Sequence, residues 1–287
     1  MPLFLNRRMF LKAAVAVPLL GPVQSSQRRI SPLGLQLYTV RSEMEKNFEA
    51  TLARVAAIGY KEVEFAGYFG RSPRDVQKIL STNGLKGVSS HVGYGTLGDQ
   101  WQGIVDAAHV MGHQYLVVPS IDGAARAQAD IWHRASERFN RAGELCRAAG
   151  ITFAYHNHQF EFAGMATRKR PYEIMLELTD PSLVSMQMDL GWITAAGQDP
   201  AAFFRRYPGR FSSVHVKDLK AVPRPDEPAV QTDVGQGIIN WKRLLADCWS
   251  AGIRHYFVEH DAPASPFDSI ETSFRYVNGL RLSEAAR

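Results

Sequence analysis

Four apolar runs in this chain end on a side chain able to hold a divalent cation: Phe153-Ala154-Tyr155-His156, Met186-Gln187-Met188-Asp189, Ser213-Val214-His215 and Phe257-Val258-Glu259. Mixed imidazole and carboxylate donors suit Mn²⁺, Fe²⁺, Co²⁺ or Zn²⁺ better than Ca²⁺, which prefers an all-oxygen shell. An ion held by three or four such groups keeps open positions for two neighbouring substrate oxygens. At a carbonyl oxygen it stabilises the enediolate left when a nearby base removes the adjacent proton. Isomerisation, epimerisation and β-elimination all pass through that species. Glu259 is the first candidate for the base, because a carboxylate can both ligate and move a proton. His156 is ligand, base or both.

These residues lie about 25 to 45 positions apart, so the fold must gather them. A repeated unit supplies the means: an amphipathic helix, a glycine, then a short strand rich in Val, Ile, Phe and Tyr. It is seen at Ile58-Gly59-Tyr60, Met111-Gly112-His113, Ala149-Gly150-Ile151 and Ala251-Gly252-Ile253. Glycine after a helix is the usual left-handed cap, so each marks a helix-to-strand junction. Strands are expected at Leu33–Leu37, Glu62–Phe65, Gly87–Val92, Tyr115–Pro119, Thr152–His156, Ser185–Asp189, Ser212–Val216 and His255–Glu259. Eight strands alternating with helices predict a (β/α)₈ TIM barrel, in which strand carboxyl ends share one catalytic face. A doubly wound nucleotide-binding fold would place a glycine-rich loop after its first strand, and Leu37-Tyr38-Thr39-Val40-Arg41-Ser42 has no glycine.

Side chains two apart share a strand face. Phe153, Tyr155, Met186 and Met188 should therefore face helices, and Gln36, Glu64, His91, His156, Gln187, Asp189, His215 and Glu259 the barrel axis. Around the four ligand candidates, His158, His91, Glu64 and Lys217 are candidate substrate contacts. His158 is also placed to orient a ligand, and Lys217 to steady an oxyanion or pair with a carboxylate. Trp192 and Tyr38 offer apolar walls for a sugar face. His109, His113, His133 and His255 fall away from this rim and read as structural. The segment from Lys220 to Gly237, with three prolines and two glycines, is a long connection after the seventh strand and is expected to cover the site.

The ordered set Leu33-Gly34-Leu35-Gln36-Leu37-Tyr38-Thr39-Val40, Tyr155-His156-Asn157-His158, Met188-Asp189-Leu190-Gly191-Trp192, His215-Val216-Lys217-Asp218 and Phe257-Val258-Glu259-His260 resembles the sugar phosphate isomerase/epimerase family of xylose isomerase-like barrels, from about Leu33 to Leu280. The resemblance implies one divalent ion, commonly manganese, magnesium, cobalt or zinc, on Asp189, His215 and Glu259 with His156 at the first position. Many members carry a glutamate there, which serves as ligand and as one of two opposed bases. His156 is a departure from that pattern.

The chain opens differently. Arg7-Arg8-Met9-Phe10-Leu11-Lys12, followed by the apolar run to Leu20, resembles a twin-arginine signal, which implies use of the twin-arginine export machinery and a periplasmic location. Residues 1–26 are set apart as that segment and residues 27–287 as a single barrel domain; an uncleaved signal would anchor the protein to a membrane. The segment holds three basic residues and no acid, so removing it takes the net charge from +5 to +2. A charge that small, with no basic stripe, gives no footprint for nucleic acid. Two cysteines, Cys146 and Cys248, make no disulfide scaffold and read as buried thiols.

No glycine-rich cradle or arginine cluster for a phosphate appears at the rim, and export places the protein where sugar phosphates are scarce. The expected substrate is an unphosphorylated sugar or keto-sugar. Isomerisation or epimerisation is the first expectation by family weight. With one clear carboxylate base, a lyase or hydratase working by β-elimination on a keto-sugar or glycoside is the alternative. An exported sugar-binding barrel without turnover is a further one.

Overall fold

Alternation along each strand sends one set of side chains into the helices and the other to the barrel axis. The computed structural model describes residues 28–126, 128, 130–163, 169–224 and 227–282. Eight parallel strands close into a barrel: β1 (Gly34–Gln36), β2 (Glu62–Phe65), β3 (Lys86–His91), β4 (Tyr115–Val118), β5 (Thr152–His156), β6 (Val184–Asp189), β7 (Phe211–Val216) and β8 (His255–Val258). Each pairs with the next, and β8 returns to β1 with Gly34 opposite Phe257. No strand end departs by more than one residue from the sequence expectation. The capping glycines Gly59, Gly112, Gly150 and Gly252 all have positive φ.

The outward set builds the core. Phe153 and Tyr155 stack on Phe139 of the helix Ile131–Ala148, with ring centroids 5.4 and 5.3 Å apart, and Met186 and Met188 are fully buried. The inward set fills the lumen in layers. At the base, His255 donates to Glu62 at 2.9 Å and packs edge-on against Tyr115. Above it Phe257 lies between the rings of His255 and His215. Gly34 is needed here, since a Cβ at that position would come within 2.5 Å of the Phe257 ring. Polar groups dominate the top layer.

The described residues of the long connection after β7 include a short antiparallel ladder. Asp218–Leu219 pairs antiparallel with Gln231–Thr232. The buried Asp218 carboxylate accepts from the backbone N–H of Leu219, Gly235, Gly237 and Ile239 and from the indole of Trp241. One carboxylate thus satisfies backbone donors that a loop of this composition would leave bare. Cys146 and Cys248 are free and buried. The proposed signal segment lies outside the described residues, and no helix among the described residues is long and apolar enough to cross a membrane.

Candidate active site

Beneath the rim, Glu64 and Gln187 form the floor. Glu64 Oε1 accepts from Gln36 Nε2 (2.8 Å) and His215 Nε2 (2.6 Å) and lies 3.1 Å from His91 Nε2, and Oε2 accepts from Ser89 and Gln187 Nε2 (2.7 Å). Gln187 in turn presents Oε1 to His91 Nε2 at 2.8 Å and to His156 Nδ1 at 3.1 Å. Burial alone would push the Glu64 carboxyl up, but the neighbouring His91 and His215 overcome this and hold it well below the usual range. With four donors, His91 alongside and no exposed surface, Glu64 has nothing left for a substrate hydroxyl. It orients the histidines above it, and the sequence expectation of a sugar contact there is corrected.

Above the floor the charges converge. His215 donates from Nδ1 to Glu259 Oε2 (2.7 Å) and from Nε2 to Glu64, so both ring nitrogens face carboxylates. Burial opposes the imidazolium, yet Glu259 and Glu64 raise its pKa to about 10. Lys217, only 1% exposed, places Nζ 3.0 Å from Asp189 Oδ2, 2.9 Å from Glu259 Oε2 and 2.8 Å from Asp261 Oδ1. Those three carboxylates outweigh its burial and hold the ammonium charged. Gly191 makes room for it, because a Cβ there would lie 2.7 Å from the Lys217 carbonyl oxygen. Asp189 does two jobs: Oδ1 caps the helix Leu190–Ala195 by accepting from Trp192 N at 2.8 Å, while Oδ2 is buried without an aligned hydrogen-bond donor. Burial raises its pKa to about 6, against the opposing pull of Lys217 and His215. The same cations hold Glu259 well below the usual range in spite of its burial.

The four expected ligands do meet. One donor atom each from His156, Asp189, His215 and Glu259 lies within 4.8 Å of the others, and all four residues are buried. His156 donates Nδ1–H to Gln187, which leaves Nε2 unprotonated 3.8 Å from Asp189 Oδ2. Burial and the charge of His215 keep this ring neutral. His215 would ligate through Nδ1 on giving up the proton donated to Glu259, with Nε2–H kept on Glu64, the carboxylate–histidine pairing that commonly supports a metal ligand. The orphaned Asp189 Oδ2, the free His156 nitrogen and the anionic surplus over Lys217 fit a divalent cation. Asp189→Ala is expected to weaken metal retention at least about tenfold, measured by elemental mass spectrometry after loading with Mn²⁺, Co²⁺ or Zn²⁺, while the barrel stays folded. Full occupancy in that variant would remove Asp189 from the ligand set.

A cavity of about 420 Å³ opens above these groups, lined by Tyr38, His91, His156, His158, Lys217, Glu259 and Asp261 among others. Of the expected substrate contacts, His158, His91, Lys217 and Tyr38 therefore reach it, while Trp192 lines a neighbouring cavity and lies under the Lys217 ammonium at 4.9 Å. His158 is neutral: burial and then the charge of Lys217 pull its pKa to about 4. Its Nδ1 has no partner. His113 is bound to Gly87 O and Tyr68, away from the cavity, as its structural reading required.

Sequence reasoning passed over Asp261 and Glu161, and it placed Gln187 on the barrel axis without a role. Asp261 lies two residues beyond Glu259, and its carboxylate joins Lys217 to the hairpin by accepting from Gln231 Nε2 at 2.6 Å. Glu161 supports the turn that carries His158: Oε2 accepts from His158 N (2.8 Å) and Oε1 from Tyr155 Oη (2.6 Å). Burial raises the Glu161 carboxyl to about 7, so the folded chain holds this proton more tightly than the unfolded one. Its stabilising effect is complete below the unfolded value near 4.5 and is lost as pH rises through about 7, a change on the order of 3 kcal/mol. Glu161→Gln is expected to flatten that loss; denaturant unfolding of both proteins at pH 5 and pH 8 measures it, and identical pH slopes would contradict the assignment.

Comparison with known proteins agrees with this fold. A family model described as Xylose isomerase-like TIM barrel matches residues 52–266. An inosose dehydratase of Lacticaseibacillus casei is 23% identical over 270 residues, covering 82% of this chain and 90% of its own. A crystal structure of a sugar phosphate isomerase/epimerase from Parabacteroides distasonis superposes with a TM-score of 0.75 at 26% identity, covering 92% of this chain and 97% of that one. A probable 3-DHS dehydratase of Bacillus anthracis shares the fold, with a TM-score of 0.66 at 10% identity, covering 85% of this chain and 98% of that one.

Proposed function

We propose, from the chain's place in the Xylose isomerase-like TIM barrel family, to which it belongs, that it is a lyase acting on an unphosphorylated keto-sugar or keto-polyol by β-elimination. One observation carries this reading. Among the described residues that line the catalytic cavity, the two carboxylates, Glu259 and Asp261, follow β8 and are tied to Lys217, whereas His156 ends β5 and His158 lies just beyond it, three strands away around the barrel. Among the described residues lining this cavity, no second carboxylate stands across from that pair, as two-base epimerisation of the expected type would need. An imidazole stands there instead, facing a fixed cation.

His158 then removes the proton next to the carbonyl. The C–H electron pair forms the C=C bond, the bond from the β carbon to oxygen breaks, and the imidazolium returns the proton to the departing oxygen. Lys217, its ammonium held by three carboxylates, keeps a fixed positive charge beside the oxygen on which negative charge develops. His156, Asp189, His215 and Glu259 would hold the divalent ion, which when bound supplies Lewis-acid polarisation of the same carbonyl. Relatives named inosose dehydratase support the reading, since a dehydration next to a ketone is such an elimination. The neighbour named sugar phosphate isomerase/epimerase favours isomerisation as the second reading. Export by the twin-arginine route to the periplasm belongs to the proposal and rests on the Arg7-Arg8 segment alone.

Product mass tests the proposal. Metal-loaded protein incubated with keto-cyclitols and keto-hexoses is expected to give a product lighter by one water and absorbing as an enone. A new sugar of unchanged mass would establish isomerisation instead, and tight binding with no product would leave a sugar-binding barrel.

A further inference from the structure

The catalytic cavity has a neighbour. A second cavity, of about 660 Å³, shares His158 with the first and is walled by Phe160, Phe162, Trp192, Ala196, Val222 and Pro223. Its chemistry is the reverse of the first: besides His158, the only charged or amide side chains among its described residues are Gln159 and Glu227. The His158 ring is the partition, stacked on Phe160 at 5.6 Å with 9° between planes and tilted against Trp192 at 5.8 Å. Arg126 covers Phe160 with its guanidinium 3.6 Å from the ring centroid, which fixes that aromatic face. The hairpin that contributes Val222 and Pro223 is anchored through Asp218, and Gln231 on its return strand bonds to Asp261 of the first cavity.

A cavity of about 420 Å³ already suits a one-ring keto-sugar, since small-ligand sites span roughly 300 to 1,000 Å³. The second would be surplus for such a substrate. Its rings and small side chains suit a flat apolar or sugar face, for which aromatic walls are the usual partner. The proposed base stands where the two cavities meet, within reach of a bond that joins the contents of one to the contents of the other.

We propose that the second cavity is a leaving-group subsite and that the substrate is a glycoside, a keto-sugar joined through oxygen at its β carbon to a second ring that lies against Phe160 and Trp192. The inference rests on the elimination reading and names what is expelled. The α C–H bond breaks, C=C forms, the glycosidic C–O bond breaks, and the proton carried by His158 goes to the glycosidic oxygen. The products are an unsaturated keto-sugar and a free alcohol or phenol, with no oxidant, reductant or added water.

The test compares two probes on the metal-loaded protein: the 4-nitrophenyl glycoside of a 3-keto-hexose, whose glycosidic carbon is β to the ketone, and the same 3-keto-hexose with a free anomeric hydroxyl. Wild type is expected to release 4-nitrophenol with the higher kcat/KM of the two. Val222→Trp, which fills the second cavity from an exposed position, should reduce the glycoside-to-free-sugar ratio of kcat/KM about three- to tenfold, and Phe160→Ala should do so by removing one wall of it. Loss of water from the free keto-hexose with no 4-nitrophenol from the glycoside would overturn the subsite and leave the elimination reading standing. An unchanged ratio in both variants would also overturn it. No unsaturated product from either probe would sink the elimination reading and the subsite with it.

Discussion

Lys217→Met is expected to destabilise the metal-free protein by about 3 to 5 kcal/mol, the usual result of leaving buried charges without their partner. In a domain of this size that corresponds to a Tm lower by on the order of 10 °C. The cause is specific: Asp189, Glu259 and Asp261 all direct an oxygen at Nζ within 3.0 Å, and methionine supplies the volume without the charge. Two of those carboxylates are also metal ligands in the proposed site. A divalent cation should therefore stabilise the variant more than wild type, because it replaces the missing positive charge. Turnover should fall about 10² to 10³-fold even when metal is restored, the range for losing one preorganised oxyanion donor. Thermal scans with and without Mn²⁺, beside kcat, give both numbers. A variant as stable as wild type without metal would show that the three carboxylates are not held together by Lys217, and the electrostatic account of the site would fall.

That ion cluster also marks where sequence reasoning stopped. The strand ends were legible because alternation is a local property, reinforced before His156 and Glu259 by the helix–glycine–strand unit at Gly150 and Gly252. His156, Asp189, His215 and Glu259 each sit at the end of a readable strand, and the barrel does the rest. The interactions among strands were not legible. Glu64 has the same inward position as His91, so alternation predicted that both would meet substrate; only the register of β2 against β3 and the reach of Gln187 from β6 show that Glu64 is enclosed. Gln187 was recognised as inward, but nothing in its strand distinguishes an organising amide from a filler. Asp261 lies past the last strand residue, where period-two reasoning no longer applies, and its link to Lys217 crosses 44 residues of sequence. Asp218 was quoted inside a motif, yet its job of pinning the hairpin depends on backbone donors from Leu219 to Ile239 that no side-chain pattern reveals.

His158→Ala is expected to lower kcat about 10² to 10⁴-fold, the usual yield of a positioned acid–base group, while metal content and Tm stay near wild type. The argument is geometric. His158 reaches the cavity, its Nδ1 has no partner within the fold, and the turn that holds it is fixed through its backbone N–H by Glu161, so truncation removes the imidazole and leaves the turn in place. Glu259 makes the opposite case. Its Oε2 is shared between His215 and Lys217, so Glu259→Gln should lose metal and turnover together. Measuring metal content, kcat and KM on both variants separates the roles. If Glu259→Gln kept its metal but lost turnover while His158→Ala remained active, the proton would belong to the carboxylate, and His158 would be a substrate contact as its position two residues past His156 first suggested.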